Sequence, residues 1–570
     1  MKIIGINLNH ISSAALYVNG DQIFASSEER FTRNKLTRDF PKNVIKEALQ
    51  FSNLRMDDID AFAIGWNPSI NLENFKNSFS STYRWFPELL YTVPNNLFEI
   101  DRIKNHGFIE QNFYSASFKK EMKVLYINHH LCHAAQSFLT SGFNNASLLT
   151  IDGFGERTSS LWGTASQREI KIDKEEYFPQ SLGSFYETIT DYLGFKPDAD
   201  EWKVMGMSAF GDKNKFSNKF DKILKVKTQG EYELDLTYFN FFNFDRPGHF
   251  SKKFLDLFGK EVTSNGINFN KRHYDFAASA QKKFEDCYVN AFNHLVTKNK
   301  SKKHICLGGG ATMNCLANGV LSQKFPKIKI HVPFAPDDLG LSMGAALYAT
   351  KYIYRKKINH KKISTFSGRE YLKDEIKRKL DNYKLKYKHY EKIEHAVAKL
   401  IANGSVVGWY QGRSEFGQRA LGNRSILGDA RNPKIKDIVN KKIKYREKFR
   451  PFAPSVLEQH AHNYFHISKN INPSHMQFAV KVKKKAKSEV PGIVHNDDTA
   501  RIQTVSKKLN KKYENLISEF YKITGTPILL NTSFNLKGEP IVDTPEDAIR
   551  TFNTSGIDYL CLGNYLISKT

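Results

Sequence analysis

The sequence predicts an α/β protein of two or three domains, and three observations carry that prediction. A chain of 570 residues exceeds what one hydrophobic core ordinarily serves. Short apolar segments recur that run straight into Asp-Gly, Gly-Gly or Asp-Asp, the pattern of strands ending at a loop that enters a helix. From residue 407 to 457, Lys and Arg crowd among Gly turns and Phe/Pro pairs, which reads as a folded anion pocket and not as a bare charge run.

With 40% hydrophobic and 13% aromatic residues the chain can fill such cores. Its 85 basic side chains against 59 acidic ones give +26, which favours phosphorylated small molecules, nucleic acid or an anionic membrane surface. Charge alone does not choose among them, because the Lys clusters at 356–362, 481–487 and 507–512 read more readily as solubilising surface. No run of about 18 apolar residues occurs, which argues against a membrane-spanning helix. The opening MKIIGINLNHISSAALYVNG is broken by Asn, His and Ser, and reads as buried strands instead of a signal peptide. Five cysteines without a Cys-x-x-Cys pair fit reduced thiols in the cytoplasm and exclude a zinc ribbon or a disulfide framework.

Residues 2–8 and 13–18 are β-branched and apolar, Asn19-Gly20 signals a hairpin turn, and 22–26 returns as a third strand. The basic loop 28–41 carries Lys35, a substrate contact or plain surface; residues 43–51 then have helical spacing. The aromatic segment 66–118 lines an acceptor pocket or packs between sheet and surface, and a second one, 232–258, has the composition of a lid. Strand 123–127 leads into NHHLCHAAQSFLTSG, where His129 and His133 stand four apart, so a helix projects both rings from one face. The pair by itself does not separate a chelate from coincidence. Strand 146–151 ends at Asp152-Gly153, a carboxylate suited to a metal or a phosphate-bound cation. Strand 304–307 enters Gly308-Gly309-Gly310, with Asn314 beyond, a loop whose amides would cradle a nucleotide phosphate. Strand 328–332 reaches Asp337-Asp338 before another Gly-punctuated helix. Repeated strand tips of this kind predict a duplicated nucleotide-binding fold of the actin and sugar-kinase type.

Residues 354–370 are basic and lack apolar periodicity, which sets domains at 1–355 and 371–570 around a linker at 356–370. In the second domain the planar guanidinium forks of Arg413, Arg419, Arg424, Arg446 and Arg450 suit two-point contact with phosphate or carboxylate, and Lys444 adds a point charge. Arg501, in DDTARIQTV, is a further anion candidate, and Asn531, Ser533 and Asn535 sit at a strand end where amides and hydroxyls grip phosphate. Thr544 reads as the N-cap of a helix opening with Pro545.

Taken together, HHLCHAA, IDGFGE, EWKVMGMSAFG, LGGGATMNC, QGRSEFGQRALGNRSIL, KYREKFRPFAPSV, DDTARIQTV and LNTSFNLKGEPIV resemble the ATP-dependent O-carbamoyltransferases of antibiotic and nodulation-factor biosynthesis. The resemblance covers nearly the whole chain. It implies an N-terminal domain like tRNA threonylcarbamoyl transferase and a YrdC-like C-terminal domain. The second would make carbamoyl adenylate from carbamoyl phosphate and ATP; the first would pass the carbamoyl group to a hydroxyl of a sugar-like or natural-product acceptor. It further implies His129, His133, Asp152 and Asp338 as ligands of a divalent metal, iron(II) in the family, with Mg²⁺ accompanying ATP. Lys35 and Lys203 fall where the family holds the adenylate, and His10 where a base for the acceptor hydroxyl is expected. Lys444, Arg446, Ser533 and Asn535 match the phosphate-gripping pairs, and Arg419, Arg424, Arg450 and Arg501 the anion contacts, with Asn423 and Asn531 beside them. Expected partners are a small-molecule acceptor and no nucleic acid, with a homodimer left open. Two positions depart from the pattern: Ile11 replaces the Asp that often follows His10, and Gln418 the usual Pro before Arg419. Two rival readings remain at this stage: a fused threonylcarbamoyl-adenylate synthase and tRNA threonylcarbamoyl transferase, and a nucleic-acid-binding scaffold.

Overall fold

The computed structural model describes residues 1–67, 107–243, 248–262, 269–299, 303–444, 446–447 and 449–569. Residues 68–106, most of the first aromatic segment, lie outside them, and the role expected there with them; of the second segment only 244–247 do, and its Tyr232, Phe239, Phe254 and Phe258 are buried, the three phenylalanines packed on one another. The chain divides into two compact units, Met1–Ala25 with Arg38–Ile363, and Ser26–Thr37 with Ser364–Thr570.

The first unit is built on two sheets. One contains β1 (Lys2–Asn7), β2 (Ser13–Val18), β3 (Asp21–Ser27), β4 (Ala61–Ile64), β5 (Phe108–Ser115) and β6 (Lys120–Ile127), ordered β3-β2-β1-β4-β6-β5. Asn19 and Gly20 join β2 to β3 with φ of 50° and 87°, the left-handed pair that a tight hairpin demands and that Asn-Gly supplies most cheaply. β1 is antiparallel to β2 and parallel to β4, which is parallel to β6. The other sheet contains β7 (Asn145–Ile151), β8 (Thr158–Ser166), β9 (Ile170–Tyr177), β12 (His304–Gly308) and β13 (Lys329–His331), ordered β13-β12-β7-β8-β9; β10 (Leu224–Val226) and β11 (Tyr232–Leu234) form a separate ribbon. Here too the first strand of a three-strand meander pairs in parallel with a later strand, and that strand with the next. The two sheets therefore share a five-strand pattern, to which the first adds β5 as an antiparallel edge strand beside β6. β1 and β7 are buried along almost their whole length, as a strand flanked by partners and covered on both faces must be.

Two helices fill the centre. Leu341–Tyr348 lies on β1, β2 and β4, and His129–Ser141 on β7 and β12, and the two helices pack on one another. A Cβ on Gly344 would stand 2.2 Å from the Cys132 carbonyl oxygen, so this helix crossing needs a residue without a side chain. The N-terminal end of His129–Ser141 therefore opens next to the C-terminal tip of β7, which brings His129 and His133 to Asp152.

The second unit carries an eight-stranded mixed sheet. Its strands are β14 (Tyr387–His389), β15 (Val407–Tyr410), β16 (Arg424–Asp429), β17 (Ala453–Leu457), β20 (Gln503–Val505), β21 (Ile528–Ser533), β22 (Tyr559–Leu562) and β23 (Tyr565–Ser568), ordered β14-β23-β22-β15-β16-β21-β17-β20. β18 (Ala479–Lys481) and β19 (Thr499–Arg501) pair separately. Helices Ile393–Ala402 and Lys507–Thr524 bury Val397, Ile401, Tyr513 and Phe520 against Trp409, Leu427 and Leu529. Truncating an aromatic at such a position ordinarily costs about 3–5 kcal/mol.

The domain limits expected from sequence differ from this division in two places. Residues 26–37, with Lys35, pack in the second unit: Arg33 donates to the Pro540 and Ile541 carbonyls at 2.8 Å each and ion-pairs Asp547 at 3.4 Å, while the Arg369 guanidinium lies 3.8 Å from the Phe31 ring centre. Residues 364–370, expected as linker, also belong there. Phe416 N–H donates to Thr365 O, Gly368 N–H to Ser414 O and Ser414 N–H to Arg369 O, so this piece is zipped to the basic loop.

Candidate metal centre and anion pocket

In the first unit the four expected ligands converge. His129 Nε2 and His133 Nε2 stand 3.0 and 2.9 Å from Asp152 Oδ2 and 3.0 Å from each other. Asp338 Oδ1 lies 3.5 and 3.6 Å from the same two nitrogens, and all four donor atoms fall within 4.8 Å of one another. Ligands held cis at about 2.1 Å around one ion are themselves about 3 Å apart, so the donor set has the spacing of a coordination shell. Its mixture of imidazole and carboxylate suits a first-row divalent ion.

Neighbouring groups fix these side chains. Asn9 Nδ2 lies 3.2 Å from His129 Nδ1; the amide reaches the ring as a donor in this orientation, and only with oxygen and nitrogen exchanged would it accept the Nδ1 proton and leave the Nε2 lone pair facing the cluster. Asp152 Oδ1 accepts from Gly153 N–H at 2.8 Å and Gly310 N–H at 3.2 Å, which leaves Oδ2 for the histidines. Buried Glu156 accepts from the His129 and Asn67 backbone N–H groups at 2.9 and 2.6 Å. Burial alone would depress His133, but hydrogen bonds to Asp152 and Asp338 outweigh it and hold its pKa up to about 9. Burial would raise Asp152, yet the two histidines hold it well below the usual carboxylate range. The protein without a metal thus stores a proton on His133 against a carboxylate.

The remaining first-unit candidates are placed less as expected. Gly310 N–H is committed to Asp152 and Gly309 N–H to the Pro336 carbonyl at 2.8 Å. The glycine loop therefore spends two of its amides inside the protein instead of on a phosphate, because Gly309 at φ 88° brings its own backbone onto β7. Gly308 sits in strand β12 opposite Thr150, and Gly153 spends its N–H on Asp152. Asn314 caps the helix Cys315–Lys324 through Ala317 N–H and bonds Gln281, a structural post. His10 is half-buried, and its Nδ1 is shielded without a hydrogen-bond partner among the described residues. Lys203 ion-pairs Asp200 at 2.8 Å. Sequence reasoning missed Asn9 and Glu156; Glu156 closes the motif IDGFGE, but nothing in its spacing reveals that it accepts backbone N–H groups.

In the second unit the cations do gather. Lys444 is buried, and its ammonium donates to Asn535 Oδ1 at 2.6 Å, to Asn535 O at 2.8 Å and to Ser533 O, while Ser533 Oγ donates to Asn535 Oδ1 at 2.7 Å. Burial, then Arg446, Arg450 and Lys35, hold the Lys444 pKa well below its ordinary value. Arg446 donates to Asn440 Oδ1 at 2.7 Å, lies 4.3 Å from the Phe452 ring centre, and feels Arg450 and Arg501. Arg450 ion-pairs Glu447 at 3.3 Å. Cations crowded together and partly desolvated repel one another, so this cluster carries the charge that a bound anion would offset.

Arg424 does not belong to that gripping set. It is fully buried, its guanidinium lies 3.6 Å from the Tyr410 ring centre, and it donates to the carbonyls of Gln411, Gly412, Asn423 and Arg369. A fork used this way braces the loop from beneath. Arg413 likewise donates to the Gly368 and Ser367 carbonyls, and Asn423 bridges Arg413 O and Asn510. Asn531 spends its amide on Ala420 O, Ser455 Oγ and Gln503 Oε1. Asn531 and Ser533 share a face of β21, and the difference is depth: Asn531 is buried within the strand, while Ser533 is its half-buried last residue. Arg419 is half-buried in the loop between Glu415 and Arg424.

Two family models match the chain, one described as the carbamoyltransferase N-terminus over residues 2–347 and one as the carbamoyltransferase C-terminus over residues 398–569. An uncharacterized protein of Synechocystis is 34% identical over all of this chain and 97% of its own length. Nodulation protein NolNO of Sinorhizobium fredii is 34% identical over 98% of this chain and 79% of that protein. Nodulation protein NolO of Bradyrhizobium diazoefficiens is 36% identical, covering 78% of this chain and 79% of that protein. No helix among the described residues is long and apolar enough to cross a membrane.

Proposed function

Because the chain belongs to the carbamoyltransferase family, we propose that it is an ATP-dependent O-carbamoyltransferase acting on a hydroxyl of a sugar-like or natural-product acceptor in the cytoplasm. The first unit then has the duplicated actin-type core and the second is YrdC-like. The observation that carries the reading is that each unit holds a buried site of its own chemistry: four converging metal-type donors in one, and a strained cation cluster around Lys444 in the other.

In the second unit, water releases carbamate and phosphate from carbamoyl phosphate. A carbamate oxygen then attacks the α-phosphorus of ATP, forming carbamoyl adenylate and displacing pyrophosphate. Lys444, Arg446, Arg450 and Arg501 supply fixed positive charge to the phosphates, so no solvent needs to reorganise as charge shifts to the leaving group. Ser533 and Asn535 orient the Lys444 ammonium. In the first unit, His129, His133, Asp152 and Asp338 would hold a divalent ion, iron(II) by the resemblance, which supplies Lewis-acid polarisation of an acyl carbonyl when bound. His10 stands as the group to take the acceptor's proton while the hydroxyl attacks the carbamoyl carbon and AMP departs, and Lys35 and Lys203 are the further adenylate contacts that the resemblance proposes. Carbamoyl adenylate hydrolyses readily, which is why an enclosed reaction favours making and using it in one chain.

The test is isotope exchange. Labelled pyrophosphate enters ATP only when carbamoyl phosphate is present, and the R446A variant abolishes it. Exchange that runs equally well without carbamoyl phosphate overturns the reading, and exchange that needs threonine and bicarbonate instead replaces it with threonylcarbamoyl adenylate synthesis.

A further inference from the structure

The loop from Glu415 to Arg424 is folded around a carboxylate. Glu415 is only 3% exposed, and its Oε1 accepts the backbone N–H groups of Leu421, Asn423 and Arg424 at 2.8, 2.8 and 3.2 Å. Three amides from one short loop on a single oxygen make a clamp of charge-assisted bonds. The same loop is fastened from the sheet side, where Asn531 Nδ2 donates to Ala420 O at 3.1 Å and Gln503 Nε2 to Leu421 O at 2.9 Å. Gly422 turns the chain at φ 107° where a Cβ would stand 2.2 Å from the Tyr513 ring, so the backbone there has one course. Leu421 is thus gripped at both its N–H and its C=O and Ala420 at its C=O, and the residue that enters this clamped pair is Arg419.

We infer that Glu415 is a positioning residue: its carboxylate fixes the backbone that presents Arg419 to the anionic substrate of the second unit. The inference rests on the proposed function and deepens it. An acidic side chain inside a pocket for anions would oppose binding if it faced the ligand. Here its charge is absorbed by three amides, and what reaches the ligand is a preorganised guanidinium, which loses little conformational freedom on binding. Glu415 Oε2 is also buried and accepts no hydrogen bond among the described residues, so the clamp rests on one oxygen, and the residue's charge, not merely its shape, maintains it.

The experiment is a double-mutant cycle on the full chain with carbamoyl-phosphate-dependent pyrophosphate exchange as readout, comparing wild type, E415A, R419A and the pair. Glu415 acting through Arg419 predicts that E415A raises the KM for carbamoyl phosphate or ATP by roughly 10- to 100-fold, that E415Q restores part of it, and that adding E415A to R419A changes little, by less than about threefold. Transfer from carbamoyl adenylate supplied directly stays at the wild-type rate in E415A, which shows that the first unit is intact, and a thermal unfolding curve that keeps the wild-type transitions shows that the second unit is folded. Multiplicative losses in the double variant, or an E415A enzyme with wild-type KM values, overturn the inference. Wild type lacking the exchange refutes the proposed function instead, and the two failures are told apart by that one sample.

Discussion

The proposed metal centre makes a quantitative prediction about pH. His133 sits at about 9 in the metal-free protein, where hydrogen bonds to Asp152 and Asp338 outweigh burial, and an imidazole must be neutral at Nε2 to bind a metal. pH 7 lies about two units below that value, so ion binding displaces about one proton and apparent affinity falls roughly 100-fold from its plateau above pH 9. Stability in the absence of metal runs the other way. The His133 pKa is raised above the ordinary 6.5, so its contribution is complete below pH 6.5 and is lost as pH rises through about 9. Calorimetric titration of the metal-free chain with Mn²⁺ between pH 6 and 8, in buffers of different ionisation enthalpy, reads both affinity and proton release. The expected result is a tenfold gain in affinity per pH unit with about one proton released, and a shallower slope in D152N. Affinity independent of pH, with no proton released, refutes the reasoning.

Three further outcomes follow from named contacts. R424A lowers the unfolding free energy of the ligand-free chain, measured by chemical denaturation, by about 3 kcal/mol or more, since Arg424 is buried against four carbonyls and Tyr410; unchanged stability with substrate affinity alone reduced contradicts the structural role given to it. G309A destabilises the first unit by about 2 kcal/mol or more, because φ is 88° and the new Cβ would fall 2.3 Å from the Ile151 carbonyl oxygen; a wild-type thermal midpoint contradicts this. Lys444 has a depressed pKa, so between that folded value and 10.5 the unfolded chain binds more protons and ligand-free stability rises with pH. K444M, measured by urea denaturation at pH 7 and pH 9, should lose that rise, and a slope equal to wild type excludes it.

Helix period puts His129 and His133 on one face, and the apolar runs mark Asp152 and Asp338 as carboxylates at strand ends, but only the resemblance to the carbamoyltransferases joined the four as one candidate ligand set. The opening strand-turn-strand and the repeated strand tips were legible in the same way, whereas the pairing order of the two sheets was not. What escaped the sequence depends on side-chain direction and long-range packing. Arg424 and Arg446 both lie in the basic stretch 407–457, yet one points beneath the loop to backbone carbonyls and the other stands among cations beside Phe452. The glycine loop looked like a phosphate cradle because spacing cannot show that Gly310 N–H is already bonded to Asp152. Residues 26–37 follow directly on a first-unit strand, and it is long-range contacts, Arg33 on Pro540, Ile541 and Asp547 and Phe31 under Arg369, that draw them into the second unit.

The division of labour between the two clusters is tested most directly by measuring both half-reactions in two variants. H133A should keep carbamoyl-phosphate-dependent pyrophosphate exchange near the wild-type rate and lose carbamoyl transfer from supplied carbamoyl adenylate to an acceptor hydroxyl. R446A should do the reverse. If either variant loses both half-reactions while remaining folded, or if H133A transfers the carbamoyl group as fast as wild type, the two sites do not have the separate tasks assigned to them.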